Sequence, residues 1–319
     1  MNSVLWLNQF CEDLIIVSGI PRSGKSLLAP LISSMDEAEI FHMDFLIETF
    51  PTLKDLNMLS QDGLIYLLQY SIHTMSYNRA IGRNMNIRVT DETSIWHSNN
   101  PQKYFERLFI NDGADFIKDF TPKYKFPLLL LLHNALTYIN SLYEAFEKVK
   151  VINICSHPVD LVDAWMKKQY GQDIYAQKGV ALPVLKWKDG IIPLYAKNWE
   201  DEYVASSEID RVISMLYQLH LKENLSLSKI NLKDKGELLM VNYDELVMNS
   251  DRELTKVSDY LKKPKTLFTD KVLQKMALDE RKKSILDRDD KLIKIRKSAS
   301  NICLEKLDKL ISSYSEIKY

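Results

Sequence analysis

The sequence predicts an α/β protein of three layers, α/β/α, in which helices cover both faces of a mostly parallel central sheet. Five short apolar runs of strand length alternate with segments whose apolar residues recur at helical spacing. Such alternation favours parallel strands that are joined by helices. With 319 residues, 46% of them hydrophobic, the chain is long enough for one large domain of this kind. We therefore expect a single domain over residues 1–319.

A polar residue follows most of the predicted strands. The five runs are residues 14–17, 39–43, 86–89, 149–155 and 237–241. Asp44 follows the second, Asp91 comes soon after the third, Ser156 follows the fourth and Asn242 the fifth. Ligands of open parallel sheets bind beyond the carboxyl ends of the strands. The functional site is therefore predicted at that edge of the sheet.

Two segments are predicted to lie outside the sheet. Residues 171–208 are rich in Lys, Trp and Tyr, and Asp189-Gly190 is a turn signal between two apolar runs. This pattern predicts a lid or hairpin insertion. Its aromatic residues suit either the core or stacking on a sugar or planar acceptor. Residues 271–319 are charged and helical in pattern, which predicts a helical C-terminal tail.

The composition excludes several classes of partner. The 42 basic and 43 acidic residues leave a net charge of −1, too little for a global attraction to nucleic acid or to an anionic membrane. The longest apolar stretch, residues 126–132, is much shorter than the ~20 residues that span a bilayer.

The three cysteines are far apart and predict neither a disulfide framework nor a zinc site. No signal peptide is indicated by residues 1–13, so the expected location is cytoplasmic.

Residues 19–26, GIPRSGKS, match the Walker A pattern G-x-x-x-x-G-K-[ST] completely. They lie between a predicted strand and a predicted helix, as the pattern requires. Glycines let backbone N–H groups converge on a phosphate, and the helix N-terminus and the lysine add positive charge. The sequence therefore predicts a phosphate-binding loop (P-loop) whose ligands come from Gly19, Pro21, Arg22, Ser23, Gly24, Lys25 and Ser26.

This loop and three later segments resemble the sulfotransferase superfamily. The stretch SGIPRSGKSLLAPLIS is similar to the family's phosphosulfate loop, G-x-P-[RK]-S-G-T-T-x-L. Residues 118–124 resemble its K-x-P-x-Y stretch, residues 156–165 its second donor motif R-x-P-x-D-x-x-x-S-W/Y, and residues 241–247 its Y-E-D-L segment. The resemblance spans residues 14–264. It implies a P-loop α/β/α fold and transfer of a sulfuryl group from 3′-phosphoadenosine 5′-phosphosulfate (PAPS) to an acceptor hydroxyl, without a metal.

The resemblance also implies catalytic roles. Arg22 and Lys25 would neutralise the charge that accumulates on the leaving phosphate, and Lys118 would help to place the sulfuryl group. A base near a strand end would take the proton of the acceptor hydroxyl. Asp44 and Glu92 are the preferred candidates, with Asp91 and His97 as alternatives.

The donor motif departs from the family pattern at two positions. Ser156 stands in place of the arginine and Ala164 in place of the serine that hold the donor's 3′-phosphate, while His157 and Asp160 fall within the motif. A phosphate with a charge near −2 needs charge-assisted partners. The residues available to replace them are His157, Lys167, Lys168 and a basic cluster of Arg281, Lys282 and Lys283, which resembles a late basic loop of the family.

The same loop also fits a kinase. ATP would then be the donor, with magnesium on Ser26 and with Asp44 orienting the acceptor. The segment FHMD, residues 41–44, resembles the second-strand aspartate of small-molecule P-loop kinases. A non-catalytic nucleotide-binding module is a third interpretation. No pattern in the sequence indicates the identity of the acceptor.

Overall fold

A parallel sheet of four strands forms the centre of the protein. The structure, a computed structural model, describes residues 10–11, 13–110, 113–118, 126–172, 184–230 and 238–317, and only the backbone of residues 114, 117 and 118. The strands are β1 (Leu14–Ser18), β2 (Leu128–Leu131), β3 (Val149–Cys155) and β6 (Leu238–Asn242), in the spatial order β2-β1-β3-β6. Two further strands, β4 (Val184–Trp187) and β5 (Gly190–Pro193), form an antiparallel hairpin.

Fifteen α-helices lie within the described residues. They are α1 (Lys25–Ser33), α2 (Phe45–Asp55), α3 (Gln61–Ala80), α4 (Gln102–Glu106), α5 (Gly113–Lys118), α6 (Ile139–Ala145), α7 (Pro158–Lys167), α8 (Glu200–Ala205), α9 (Glu208–Ser228), α10 (Tyr243–Met248), α11 (Ser250–Leu261), α12 (Leu267–Gln274), α13 (Leu278–Leu286), α14 (Arg288–Ser298) and α15 (Asn301–Glu316). No helix in this part of the chain is long and apolar enough to cross a membrane.

Both faces of the sheet are buried, because alternate side chains of each strand pack against different layers of helices. Ile15 and Val17 of β1 pack into one apolar cluster with α1 and α11, whereas Leu14 and Ile16 pack into a second cluster with α3 and α6. Strands β2 and β3 divide their side chains between the same two clusters. Successive side chains of a strand point to opposite faces, so a sheet between two helical layers needs continuous apolar runs. The predicted α/β class with a mostly parallel sheet is confirmed.

A third apolar cluster lies beside the sheet and joins the C-terminal helices to the rest of the protein. Val162 and Trp165 of α7 pack there with α9 and with Leu307 of α15. Trp165 is completely buried. The helices that follow the sheet in sequence therefore return to cover the helix that begins at the end of β3.

Two of the five predicted strands are wrong, and one strand was missed. Residues 39–43 make only an isolated bridge, between His42 and Leu130, and residues 86–89 form a loop. The missed strand is β2. It lies within the run of residues 126–132 that the sequence analysis considered only as a candidate membrane span. Its leucines show no alternation because both faces of the strand are buried.

Glu39 was predicted to lie in a strand, but it forms a buried ion cluster with three basic residues. Its carboxylate is 2.7 Å from Arg79 Nε, 2.7 Å from Arg107 Nη2 and 3.1 Å from Lys103 Nζ. Burial opposes ionisation of Glu39, but the charges of Arg79 and Arg107 more than offset it, and its pKa lies far below the ordinary value. The cluster ties the segment after α1 to α3 and α4.

We expect Glu39→Ala to lower the free energy of unfolding by about 3–5 kcal/mol, because two buried guanidinium groups lose their carboxylate. Urea unfolding measures this effect. Glu106→Ala removes an exposed carboxylate from the same region and should change stability by only about 0.5 kcal/mol. Equal losses in the two variants would contradict the structural role of Glu39.

Candidate active site

The predicted phosphate loop, residues 19–26, turns sharply between β1 and α1, and two glycines are essential to its path. Gly24 has φ +102°, and a Cβ there would lie 2.4 Å from Cδ2 of Tyr243. A Cβ at Gly19 would lie 2.6 Å from the carbonyl oxygen of Ile154. Arg22 also has a positive φ of 74°, which costs energy for a residue with a side chain. The loop is therefore held in a conformation that its sequence would not adopt alone.

Contacts from distant segments hold the carbonyl groups of the loop. Trp165 Nε1 donates to the carbonyl oxygen of Pro21 at 2.8 Å, and Ser156 Oγ donates to that of Ser23 at 2.9 Å. The backbone N–H of Asn134 donates to the carbonyl of Gly19 at 3.2 Å. With these carbonyls engaged, the N–H groups of Gly24, Lys25 and Ser26 bond to no described residue, whereas that of Leu27 donates to the carbonyl of Gly24 at 2.9 Å. These N–H groups are the donors that a phosphate at a helix N-terminus uses.

Lys25 places its ammonium group inside the loop. The side chain is only 4% exposed, and Nζ donates to the carbonyls of Gly19 at 2.7 Å and Ile20 at 2.9 Å. Burial lowers the pKa of Lys25 to about 7, although the carboxylates of Glu48 and Glu223 act in the opposite direction. An anion in the loop would favour the charged ammonium. The charge of the Lys25 ammonium group therefore depends on a bound anion, which would raise the pKa of the group.

A histidine and a glutamate that the sequence analysis missed lie beside this loop. His133 follows β2, directly before the Asn134 that contacts Gly19. Glu48 of α2 accepts hydrogen bonds from the backbone N–H of His133 at 2.6 Å and from its Nδ1 at 3.0 Å. Because a carboxylate only accepts, Nδ1 carries the proton and Nε2 is left as an acceptor. The arrangement is that of a base oriented by a carboxylate.

A second carboxyl group, that of Glu223 on α9, is buried near Lys25. Burial raises the pKa of Glu223 to about 8, with Lys25 opposing the shift. Its Oε1 has no hydrogen-bond partner among the described residues. It lines a small cavity with Ser23 and Ser156, below the carboxyl end of β3. Burial therefore favours the neutral form of Glu223 and Lys25 its charged form, while the Glu48 carboxylate is engaged with His133.

Residues of the second donor motif hold the C-terminal helices. Asp160 accepts from Arg288 Nε at 2.8 Å and from Lys291 Nζ at 2.6 Å. Arg288 also contacts Asp244 at 2.7 Å. His157 caps α7, where its ring accepts from the N–H of Val159, and burial lowers its pKa to about 4. Asp160 and His157 thus attach α14 and α7 to the end of β3, and Ser156 supports the loop.

The cations that could replace the missing arginine differ in their surroundings. Arg281 donates to the Tyr243 hydroxyl at 3.3 Å and to the carbonyl of Met276 at 2.9 Å, and no described carboxylate pairs with it. Lys282 lies 3.7 Å from Asp279, and Lys167 lies 2.8 Å from Asp163. Lys168 and Lys283 are exposed. Arg281 is therefore connected to the loop by a defined contact, since it bonds to the hydroxyl of Tyr243, whose ring lies against Gly24.

The predicted base residues make local contacts. Asp44 caps α2 by accepting from the N–H of Leu46 at 2.8 Å, and Asp91 accepts from the N–H and hydroxyl of Thr93. Glu92 is exposed, and His97 Nε2 lies 3.2 Å from the carbonyl of Val89. In the described part of the chain, no hydrogen bond joins any of them to the phosphate loop. The side chain of Lys118 and residues 119–125 of the K-x-P-x-Y stretch lie outside the described residues.

The described side chains contain no group of three His, Cys, Asp or Glu residues that could hold a metal ion. Ser26, the residue that would bind magnesium in a kinase, is exposed at the start of α1. The three cysteines are free thiols.

No family model and no curated protein matches the sequence. Among solved structures, the chain is similar to the sulfotransferase domain of the Synechococcus PCC 7002 olefin synthase, at 13% identity and a TM-score of 0.49 over 100% of both chains. It is similar to the sulfotransferase domain of the curacin biosynthetic pathway, at 13% identity and a TM-score of 0.42, over 81% of this chain and 76% of that one.

A third similar structure is retinol dehydratase in complex with androsterone and the inactive cofactor PAP. Its identity is 13% and its TM-score 0.38, over 97% of this chain and 83% of that one. These values are too low to transfer a substrate or a residue's role. The roles of individual residues therefore rest on contacts within this chain.

Anion binding at the loop should depend on pH through Lys25. The pKa of Lys25 is about 7, below its ordinary value, so above that pH the binding of an anion is coupled to uptake of a proton. Sulfate is a suitable probe because its charge is constant over this range. We expect calorimetry to show its affinity falling by up to about tenfold per pH unit between about pH 7.5 and 9.

The control for this measurement is Lys25→Met, which keeps the length of the side chain and removes its charge. The variant should bind sulfate weakly at every pH and should unfold at a temperature no lower than that of the parent, because a buried charge has been removed. A pH-independent affinity in the parent, or an equal slope in the variant, would show that Lys25 is not the titrating group.

Proposed function

We propose that the protein transfers a sulfuryl group from PAPS to a hydroxyl group of an acceptor. One observation carries the proposal: the loop that matches the phosphate-binding pattern is connected through Tyr243 to Arg281, a guanidinium that no described carboxylate neutralises. The loop suits the 5′-phosphosulfate end of the donor. The guanidinium suits a second phosphate on the same nucleotide. The order of the sequence motifs supports the same assignment.

Arg281 is the best candidate for recognition of the 3′-phosphate. Tyr243 lies between it and the loop, with its ring against Gly24 and its hydroxyl bonded to Arg281 Nη1. Arg288 and Lys291 are also close to the end of β3, but Asp160 and Asp244 already neutralise them. A guanidinium without a carboxylate partner gains more from a phosphate than one that is already paired.

The proposed chemistry needs a base and a means of stabilising the leaving group. His133 Nε2 accepts the proton of the acceptor hydroxyl while that oxygen forms a bond to sulfur and the bond from sulfur to the phosphate oxygen breaks. Glu48 holds the ring and stabilises the imidazolium. Lys25, Arg22 and the N–H groups at the start of α1 stabilise the charge that develops on the departing phosphate.

The donor is tested by comparing 3′-phosphoadenosine 5′-phosphate (PAP) with adenosine 5′-phosphate by calorimetry, without magnesium. We expect PAP to bind about tenfold to a hundredfold more tightly, since a charge-assisted contact is worth roughly 1.5–3 kcal/mol. Arg281→Met should erase this preference. Lys167→Met, which neutralises an exposed lysine paired with Asp163, should preserve it.

Equal affinity for the two nucleotides, together with tighter magnesium-dependent binding of ATP, would overturn the proposal. The kinase interpretation would then replace it, with Ser26 as the metal ligand. A preference for PAP that survives Arg281→Met would leave the donor assignment intact and move the role to another cation, such as Lys168 or Lys283.

Once an acceptor is found, two matched variants test the base. We expect His133→Asn to lower kcat by about 10²-fold or more with little change in the KM for PAPS, because a general base acts on the chemical step. Asp44→Asn keeps the ability to cap α2 and should have a smaller effect. The reverse order of the two effects would restore Asp44 as the base.

A further inference from the structure

A separate polar cavity lies beyond the outer edge of β2 and is lined in part by residues 42–44 of the FHMD segment. Its volume is about 210 Å³, and its polar wall includes His42, Asn78, Arg79 and Asn86. Apolar side chains form the remainder, among them Met43, Met75, Met85 and Ile95. A cavity with a few polar groups in an apolar wall is typical of small-molecule sites.

Arg79 is the central polar group of this cavity. The residue is 7% exposed, its Nε donates to Glu39 at 2.7 Å, and its Nη2 donates to the carbonyl of Ile40 at 2.7 Å. The remaining amino group, Nη1, has no acceptor among the described residues. An unsatisfied buried donor is costly, particularly on a charged group. The guanidinium therefore has a free donor position where an acceptor would be stabilising.

The charge around Arg79 favours an anionic acceptor. Glu39 is the only carboxylate within 4.0 Å of Arg79, Arg107 and Lys103 among the described residues, so three cations share one negative charge. His42 adds none, because burial and the charge of Arg79 lower its pKa to about 3. Asp44, which also lines the cavity, carries one negative charge, and Arg83, another lining residue, offsets it. A buried surplus of positive charge remains.

The position of the cavity relates it to the active site. Asp44 lines the cavity and caps α2, and Glu48 lies four residues further along the same helix. Four residues of an α-helix rise about 6 Å. Glu48 holds His133, the proposed base. The cavity and the proposed base are therefore connected through the first turn of α2.

From this juxtaposition we infer that the cavity binds an anionic group of the acceptor, a carboxylate or similar oxyanion, while a hydroxyl of the same molecule meets His133. The inference rests on the proposed function, which it makes more specific. The apolar wall selects an acceptor whose hydroxyl and anionic group are joined by an aromatic or aliphatic body, that is, a hydroxy acid. Arg79 fixes one end of the molecule and His133 acts at the other.

The probe pair is 4-hydroxybenzoate and 4-hydroxybenzamide, which differ in charge and share the ring and the hydroxyl. Their binding is measured by calorimetry in the Lys25→Met variant, whose loop is expected to bind anions only weakly. We expect the carboxylate to bind at least about tenfold more tightly than the amide, as a charge-assisted contact to Arg79 requires. Arg79→Gln should remove the difference.

Because Arg79 also holds Glu39, a second variant tests the site without touching the ion cluster. Met43 lines the cavity and is 43% exposed, so Met43→Trp should obstruct the cavity and weaken binding of 4-hydroxybenzoate at least about fivefold. Met58, 71% exposed, does not line the cavity, and Met58→Trp should have no effect. Equal binding of the two probes, or a difference that survives both Arg79→Gln and Met43→Trp, would overturn the inference.

Competition by free sulfate distinguishes an acceptor site from a site for a free anion. The inference predicts that sulfate displaces 4-hydroxybenzoate only weakly, since sulfate makes no contact with the apolar wall. Displacement at equal affinity would assign the cavity to a free anion and overturn the acceptor assignment. These measurements need no turnover and no PAP, so their failure is distinct from a failure of the proposed sulfuryl transfer.

Discussion

The buried charge of Lys25 is the constraint on which the rest of the candidate site depends. Its ammonium group lies in the interior, against the carbonyls of Gly19 and Ile20. Those carbonyls are available only because Gly19 and Gly24 allow the loop to turn and because Trp165 and the segment after β2 hold its backbone. A buried cation of this kind is stable when its ligand supplies the compensating charge.

Charge at the carboxyl edge of the sheet is arranged locally, since the whole chain carries a net charge of only −1. Some cations are neutralised within the protein, as Arg288 is by Asp160 and Asp244. Arg281 and Arg79 retain donors that no described carboxylate satisfies. Under the proposed function, the unsatisfied donors of Arg281 and Arg79 receive the anionic groups of the nucleotide and of the acceptor.

The sequence was sufficient where a strand depends on neighbouring residues. The strands β1 and β3 were predicted because apolar runs are local patterns, and phosphate binding by residues 19–26 stays a prediction from their glycine spacing. The strand β2 was missed because a strand buried on both faces shows no alternation. The pair of His133 and Glu48 joins residues 85 positions apart, and Asp160 and Arg288 are 128 apart. Such contacts form only when the helices pack, and no local sequence pattern predicts them.

The central claim, that the loop at Lys25 and the guanidinium of Arg281 form one nucleotide site, is tested most directly by a crystal structure of the full chain with PAP. The account predicts that the 5′-phosphate accepts hydrogen bonds from the N–H groups at the start of α1 and from Lys25 Nζ, and that the 3′-phosphate contacts Arg281. A 5′-phosphate bound away from the loop, or a 3′-phosphate pointing to solvent with Arg281 still on Tyr243, would contradict it.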